Sequence, residues 1–216
     1  MIDITGSQNN GDKPIKHSLV ERLMHYYICL HTYDDSVEYD WISSKQIAAH
    51  FHIDDTQVRK DLAGIGVKGR PNAGFQRRQV LEKIKERLGL GTEFKAVVVG
   101  IGRLGSAIVE YRNFREFGMQ IVGLFDSDPQ KIGKTISGRT IISVSKMKGF
   151  IKRRDAKVAI LTCPVLVAQV LTYELAEAGI TAIWNFTPTT LVVPDGVFVR
   201  NEHISVGLGE IAYRLK

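Results

Sequence analysis

The chain is poor in cysteine, proline and tryptophan: two, six and two in 216 residues. Cys29 and Cys163 are far apart and form no CxxC pair, so a disulfide framework is excluded. In a reducing compartment they are expected to be free thiols packed as small hydrophobes, a redox-sensing disulfide being the alternative. No apolar run approaches the length of a membrane span, and the opening "MIDITGSQNNGDKPIK" lacks the apolar core of a signal peptide. A cytoplasmic protein is therefore expected. What remains, with 44% hydrophobic and 24% charged residues, is the composition of an ordinary globular protein large enough for two small domains.

The net charge of +6 is unevenly spread. Residues 1–55 carry 4 basic and 9 acidic side chains, residues 56–92 carry 9 and 3, and residues 93–216 carry 16 and 11. A basic segment this concentrated points to a local anionic partner, although "RRQVLEKIKERLG" also reads as a solvated amphipathic helix.

Residues 1–15 are polar and read as a mobile tail. Leu19, Leu23, Tyr26 or Tyr27, and Leu30 recur at helical spacing, so 16–32 is an amphipathic helix. "YDDSVEYD" breaks it. "ISSKQIAAHF" then starts a short helix capped by Ser43 or Ser44, and "DDTQVRKDLAGIG" starts another capped by Asp54 or Asp55. Val58, Leu62 and Ile65 line the inner face of the last, leaving Thr56, Gln57, Arg59, Lys60 and Ala63 outside. A long helix followed by two short ones has the layout of a helix-turn-helix. Its second short helix offers Arg and Gln, which bridge base edges, and Lys for phosphate. "GVKGRPNAGF" reads as a β-wing with Lys68 and Arg70 at its tip.

After "GLGT" the rhythm changes. "FKAVVVG" is a continuous apolar run suited to a buried parallel strand. A helix over 103–117, a strand "MQIVGLFD", a weaker strand near "RTIISV", a basic helix near 145–154, and strands "KVAILT", "TAIWNF" and "GVFVR" follow. Strands alternating with helices predict a doubly wound, Rossmann-type α/β sheet. "GIGRLG", residues 100–105, sits between the first strand and helix, and Asp126 ends the second strand 21 residues beyond Gly105. In that setting Gly100 makes the tight turn, Gly102 admits a pyrophosphate, and Gly105 lets helix and strand pack closely. Asp126 would accept hydrogen bonds from an adenosine ribose and repel a 2′-phosphate, favouring NAD(H). Arg103 introduces a cation able to reach either phosphate.

A dehydrogenase would also need a proton donor near the nicotinamide and a substrate region. Five of the six histidines fall in the N-terminal half, the sixth is His203, and no substrate domain follows the sheet. The residues point to a chain that binds the cofactor without reacting it: no catalytic residues, no metal site.

The stretches "VERLMHYYICL", "ISSKQIAAHFHIDDTQVRKDL", "GIGRLGSAIVEYRNF", "LFDSDPQKIG" and "AQVLTYELAEAGITAIWNFTPTTLVVPDGV" resemble the Rex family of redox-sensing transcriptional repressors, over about residues 14–210. "QVRKDL" ahead of a dinucleotide fold and the "NFTP…L.VP" ending are the most specific. The resemblance implies a winged-helix DNA-binding domain (16–90), an NAD(H)-binding domain (93–200) and a C-terminal helix (201–216) exchanged across a homodimer. It implies that NADH releases the protein from an inverted-repeat double-stranded operator.

Carried over residue by residue, Gln57, Arg59 and Lys60 would contact DNA from the recognition helix, Lys68 and Arg70 from the wing, and Ser43, Ser44 and Lys45 at phosphates. Gly100, Gly102, Arg103, Leu104, Gly105 and Asp126 would hold adenosine and pyrophosphate. Thr162, Cys163 and Pro164, then Asn185, Phe186, Thr187 and Pro188, would lie along the cofactor. Tyr111 matches a family tyrosine of a charged network near the nicotinamide, Arg22 its interdomain partner, and Glu202 and His203 stand where the terminal segment reaches the partner. The chain departs from the family in three places. Arg103 replaces the usual Asn, the wing lacks its bulky aromatic lead-in, and Glu202–His203 replace an Asp-plus-aromatic pair. A histidine titrating near neutrality there would make the switch depend on pH. An NAD-dependent oxidoreductase with an accessory N-terminal module is the alternative, and a relative with a degenerate or NAD⁺-preferring site a third reading.

Overall fold

The computed structural model describes residues 15–32 and 40–216. The expected tail and all but the end of "YDDSVEYD" lie outside them. The chain divides into two compact units, the break falling between Thr92 and Glu93.

In the first unit α1 (His17–Thr32) carries Leu23, Tyr26 and Leu30 on its buried face. A two-residue strand, β1 (Trp41–Ile42), leads into α2 (Ser44–Phe51). Ser43 caps α2 in a reciprocal box with Gln46, satisfying two N–H groups that would otherwise have no partner. The helix stops at His52, which takes a left-handed conformation. Asp54 caps α3 (Asp55–Gly64), whose Val58 and Leu62 are fully buried. β2 (Phe75–Gln76) pairs antiparallel with β1, and an Arg70–Gly74 bridge closes the wing between α3 and β2. α4 (Arg77–Leu88) completes the unit, adding Val80 and Ile84 to a core shared with Ile47.

The second unit is a seven-stranded sheet. Its elements are β3 (Phe94–Val99), α5 (Arg103–Glu110), β4 (Met119–Asp126), β5 (Thr135–Ile136), β6 (Arg139–Ser143), α6 (Met147–Arg154), β7 (Val158–Leu161), α7 (Val165–Ala178), β8 (Ala182–Asn185), β9 (Phe198–Asn201) and α8 (Ile204–Arg214). The spatial order is β5-β6-β4-β3-β7-β8-β9, all parallel except β5. Without the β5 flap this is the doubly wound order 3-2-1-4-5-6. The chain winds outward from β3 through β4 to β6, then returns to β7 and winds the other way. The ends of β3 and β7 therefore diverge, and a crevice opens at the carboxyl edge between them. Ala96 to Val99 are completely buried because helices cover both faces, which is why "FKAVVV" shows no alternation.

Two details differ from the expectations. The helix foreseen over 103–117 ends at Glu110: Tyr111 is extended (φ −69°, ψ 111°), and a 3₁₀ turn covers Arg112–Phe117. Leaving the helix lets the Phe114 ring pack edge-on against Trp184, 5.8 Å between centroids. The weak third strand is the second limb of a β5–β6 hairpin turned by Ser137 and Gly138, both at positive φ. No helix among the described residues is long and apolar enough to cross a membrane.

Candidate cofactor and nucleic-acid sites

The turn after β3 is shaped by contact with the end of β7. Gly100 has φ +95°, and a Cβ there would lie 2.7 Å from the Cys163 nitrogen and 2.8 Å from Thr162 C. A Cβ on Gly105 would collide with the Gly100 carbonyl oxygen and approach Thr162 Oγ1 to 2.9 Å. Thr162 donates its hydroxyl to that same carbonyl at 2.6 Å. Gly102, between them, has nothing within 4 Å of where its Cβ would be. Two glycines are thus required by the protein's own backbone, whereas the third faces open space. That is the arrangement a pyrophosphate cradle needs. Gly102 caps α5 with no side-chain bond, so the first N–H groups of the helix are aimed at the crevice. Arg103 and Leu104 begin the helix, exposed. A cation at a helix N-terminus opposes the dipole unless an anion lies beside it.

Asp126, at the end of β4, is buried and accepts three hydrogen bonds. Oδ2 accepts from the Ile101 N–H at 2.8 Å and the Lys131 ammonium at 3.1 Å, and Oδ1 accepts from the Asp128 N–H at 2.9 Å. Burial by itself would raise this carboxyl; the Asp128, Lys131 and Ile101 hydrogen bonds outweigh it and hold the pKa below the ordinary carboxylate range. The group remains an anion beside the glycine turn, with one lone-pair position left for a ribose hydroxyl. Lys131 was not foreseen, although its place five residues after Asp126 in "DSDPQK" is the signal for it.

Cys163 is buried and its thiol is pushed up to about 11 by desolvation, so it is no nucleophile at neutral pH. Pro164, exposed, caps α7. Asn185 is fully buried and fully used: Nδ2 donates to the Thr189 carbonyl (2.9 Å) and to Asn201 Oδ1 (2.8 Å), while Oδ1 accepts from the Thr187 N–H (2.9 Å) and hydroxyl (2.6 Å). It thereby sets the path of Phe186, Thr187 and Pro188 beyond β8. Tyr111 is half exposed and edge-on to Phe114 at 4.8 Å. Glu202 accepts the Trp184 indole N–H at 3.0 Å, and His203 is the exposed residue before α8. Among the described residues no three His, Cys, Asp or Glu side chains cluster as a metal site.

In the first unit, Ser43, Ser44, Lys45, Asp55, Arg59, Lys68 and Arg70 line one open groove of about 990 Å³ between the helix pair and the wing. Lys45, Lys60, Lys68 and Arg70 are exposed. Arg70 stacks over the Trp41 ring at 4.8 Å, which fixes the wing tip. Arg59 is held by Asp55, with bonds to Ser44 Oγ and Thr56 Oγ1 at 3.1 Å each. Two expected contacts are turned inward. Ser44 is buried between Asp55 and Arg59, and Gln57 donates to Asp61 at 2.8 Å. Arg22 also reaches Asp61, at 2.6 Å, with Tyr26 donating to the same carboxylate at 2.9 Å. Tyr26 lies on the inner face of α1 as one of the two tyrosines expected there, whereas Asp61 was missed because a single buried acid leaves no periodic trace.

Both units have matches among known proteins. Residues 91–189 match the family described as CoA binding domain, and residues 15–63 the family described as putative DNA-binding protein N-terminus. The redox-sensing transcriptional repressor Rex of Roseiflexus sp. (strain RS-1) is 42% identical over 159 residues, 74% of this chain and 72% of that protein. The repressor of the same name from Caldicellulosiruptor bescii is 37% identical over 205 residues, 94% and 93% of the two chains. Among solved structures, the Rex-family repressor RSP in complex with beta-NAD⁺ and operator DNA matches with a TM-score of 0.86 at 31% identity, over 94% of each chain. RSP in complex with beta-NADH matches with a TM-score of 0.86 at 30% identity, over 94% and 95%.

Proposed function

The chain belongs to the Rex family of redox-sensing transcriptional repressors, and from that premise we propose how its own residues read the cofactor and the operator. The protein is an NADH-responsive DNA-binding repressor, and it is not an oxidoreductase: its relatives over nearly the full length are repressors. The observation that carries the reading is the coexistence, in one chain, of a glycine cradle at the β3/β7 switch point and a cation-lined groove between a helix pair and a wing.

The cradle residues fit a dinucleotide. Gly102 and the first N–H groups of α5 would face the pyrophosphate with Arg103 alongside, Asp126 would meet the adenosine ribose, and Thr162–Pro164 and Asn185–Pro188 would line the nicotinamide half. When bound, the cofactor would supply its oxidation state as the signal. Lys45, Arg59, Lys60, Lys68 and Arg70 would grip the operator. Arg59 exchanges Asp55 for guanine, so the resting ion pair keeps the reading head ordered between encounters. Domains 16–90, 93–200 and 201–216 correspond to reader, sensor and dimer arm. The dimer arm is supported by apolar side chains exposed along α7 and α8: Leu166, Val170, Leu208 and Ile211 are 94%, 61%, 61% and 57% exposed. Patches of that kind mark a partner surface, and an inverted repeat asks for a two-fold dimer. The site of action is the cytoplasm.

Switching follows from linkage: the dimer state that grips DNA must be the one with the lower affinity for NADH. Driving it from nearly all bound to nearly all released requires a difference of about 10⁴-fold between the states. The test is operator-binding anisotropy across a titration of the NADH/NAD⁺ ratio. Release that tracks the ratio is expected; binding indifferent to it would overturn the reading.

A further inference from the structure

Trp184 and Glu202 join three parts of the second unit that the cofactor site and the dimer arm do not by themselves connect. Trp184 and Arg200 are direct neighbours across β8 and β9, and Glu202 lies two residues on, where its own N–H still donates to the Asn185 carbonyl at 2.8 Å. Glu202 is thus the last residue tied to the sheet before α8 begins. Its Oε1 accepts from the Trp184 indole N–H and from Arg200 Nε, each at 3.0 Å. The same indole packs on Phe186 at 5.0 Å, inside the loop expected along the nicotinamide, and on Phe114 at 5.8 Å, which in turn carries Tyr111. One residue away, Asn185 ties the 187–189 loop to Asn201. One path from the cofactor-lining loop to the root of α8 therefore runs through the Trp184 ring and the Glu202 carboxylate, beside the Asn185–Asn201 link.

We infer that Glu202 is a positioning residue whose hydrogen bond to Trp184 sets the angle at which α8 leaves the sheet, and so transmits cofactor occupancy to the dimer arm. The inference rests on the reading that α8 joins the two subunits. An acceptor oxygen is suited to the task because a hydrogen bond donated by an indole N–H is directional.

The experiment compares two quantities in the full-length protein: NADH affinity without DNA, read by nicotinamide fluorescence, and the NADH concentration that releases half of bound operator. Glu202→Ala and Trp184→Phe each remove the bond. Both are expected to raise the releasing concentration by about fivefold or more while leaving free-protein affinity within about twofold, the size of an ordinary allosteric coupling term. The double variant should be no worse than either single one, since the two residues act as a pair. Glu202→Gln keeps an acceptor oxygen for the indole and should behave as the unmodified protein; if it instead matches Glu202→Ala, the charge facing Arg200 is what matters and the inference falls. It also falls if Glu202→Ala releases operator at the unmodified concentration, or if affinity and release move together. Should Glu202→Ala not assemble, Trp184→Phe decides by the same criteria. Failure of the unmodified protein to release operator with NADH would instead sink the functional reading beneath it.

Discussion

Arg22 of α1 and Asp61 of α3 meet in a two-pronged ion pair, Nε to Oδ2 at 2.6 Å and Nη2 to Oδ1 at 2.9 Å. Tyr26 and Gln57 donate to the same carboxylate at 2.9 and 2.8 Å. Four donors converge on a side chain that is 5% exposed, so one acid gathers the polar contacts between α1 and α3. The resemblance casts Arg22 as a partner of Tyr111; in this structure its guanidinium is engaged by Asp61.

Asp61→Ala is expected to destabilise the N-terminal unit by about 3–5 kcal/mol, the cost of breaking a buried pair from one side. Burial would raise the Asp61 carboxyl, but bonds from Arg22, Gln57 and Tyr26 prevail and its pKa is lowered. A depressed folded-state pKa means stability that is present above the unfolded value, about 4, and lost as pH falls through the folded one. Denaturant melts from pH 7 down to 3 should show this acid-side loss in the unmodified protein and its absence in Asp61→Asn. Parallel curves would disprove the assignment.

The two inner glycines of the cradle should separate fold from function. Gly105→Ala forces a methyl against the Gly100 carbonyl, so the second unit is expected to lose stability by about 1–3 kcal/mol along with NADH binding. Gly102→Ala meets empty space at an ordinary φ of −85°. Its melting temperature should stay unchanged while NADH affinity drops by about tenfold or more, since the methyl enters where a pyrophosphate would lie. Calorimetry beside cofactor titration checks both.

Asp126→Ser removes the anion that would repel a 2′-phosphate and leaves the Lys131 ammonium with the more distant Asp128 carboxylate, at 3.9 Å, able to attract one. NADPH should then release operator at concentrations at least about tenfold lower than it does for the unmodified protein, the effect of one ion contact. An unchanged NADPH response would show that selectivity is set elsewhere.

On the DNA side, Arg59→Ala should weaken operator binding by about 1–3 kcal/mol and relax specificity at one base position. Lys68→Ala should weaken operator and scrambled duplex alike and lower the salt slope by about one. Filter-binding series at several salt concentrations distinguish the two behaviours.

What the sequence made legible was whatever has a period or a fixed offset. The apolar faces of α1 and α3, the unbroken "FKAVVV" and the spacing from Gly100 to Asp126 each follow from backbone geometry alone. Contacts between residues distant in sequence were not legible. Nothing in "DTQVRKDL" says that Asp61 is met by Arg22 of α1, or that Ser44 is buried by Arg59. The break at Tyr111 was hidden because the reason for it, the packing of Phe114 on Trp184, lies on a strand 70 residues later. A motif fixes the cradle; only the folded sheet shows what leans on it.

The thiol of Cys163 stands at the floor of that cradle, its backbone against Gly100, with a pKa near 11. At neutral pH the thiolate, the form that peroxide attacks, is therefore disfavoured. A sulfur in the middle of a redox sensor is thereby kept silent. At this thiol peroxide is expected to find little to attack, so the cradle reads reducing equivalents through the carrier it binds and not through its own sulfur.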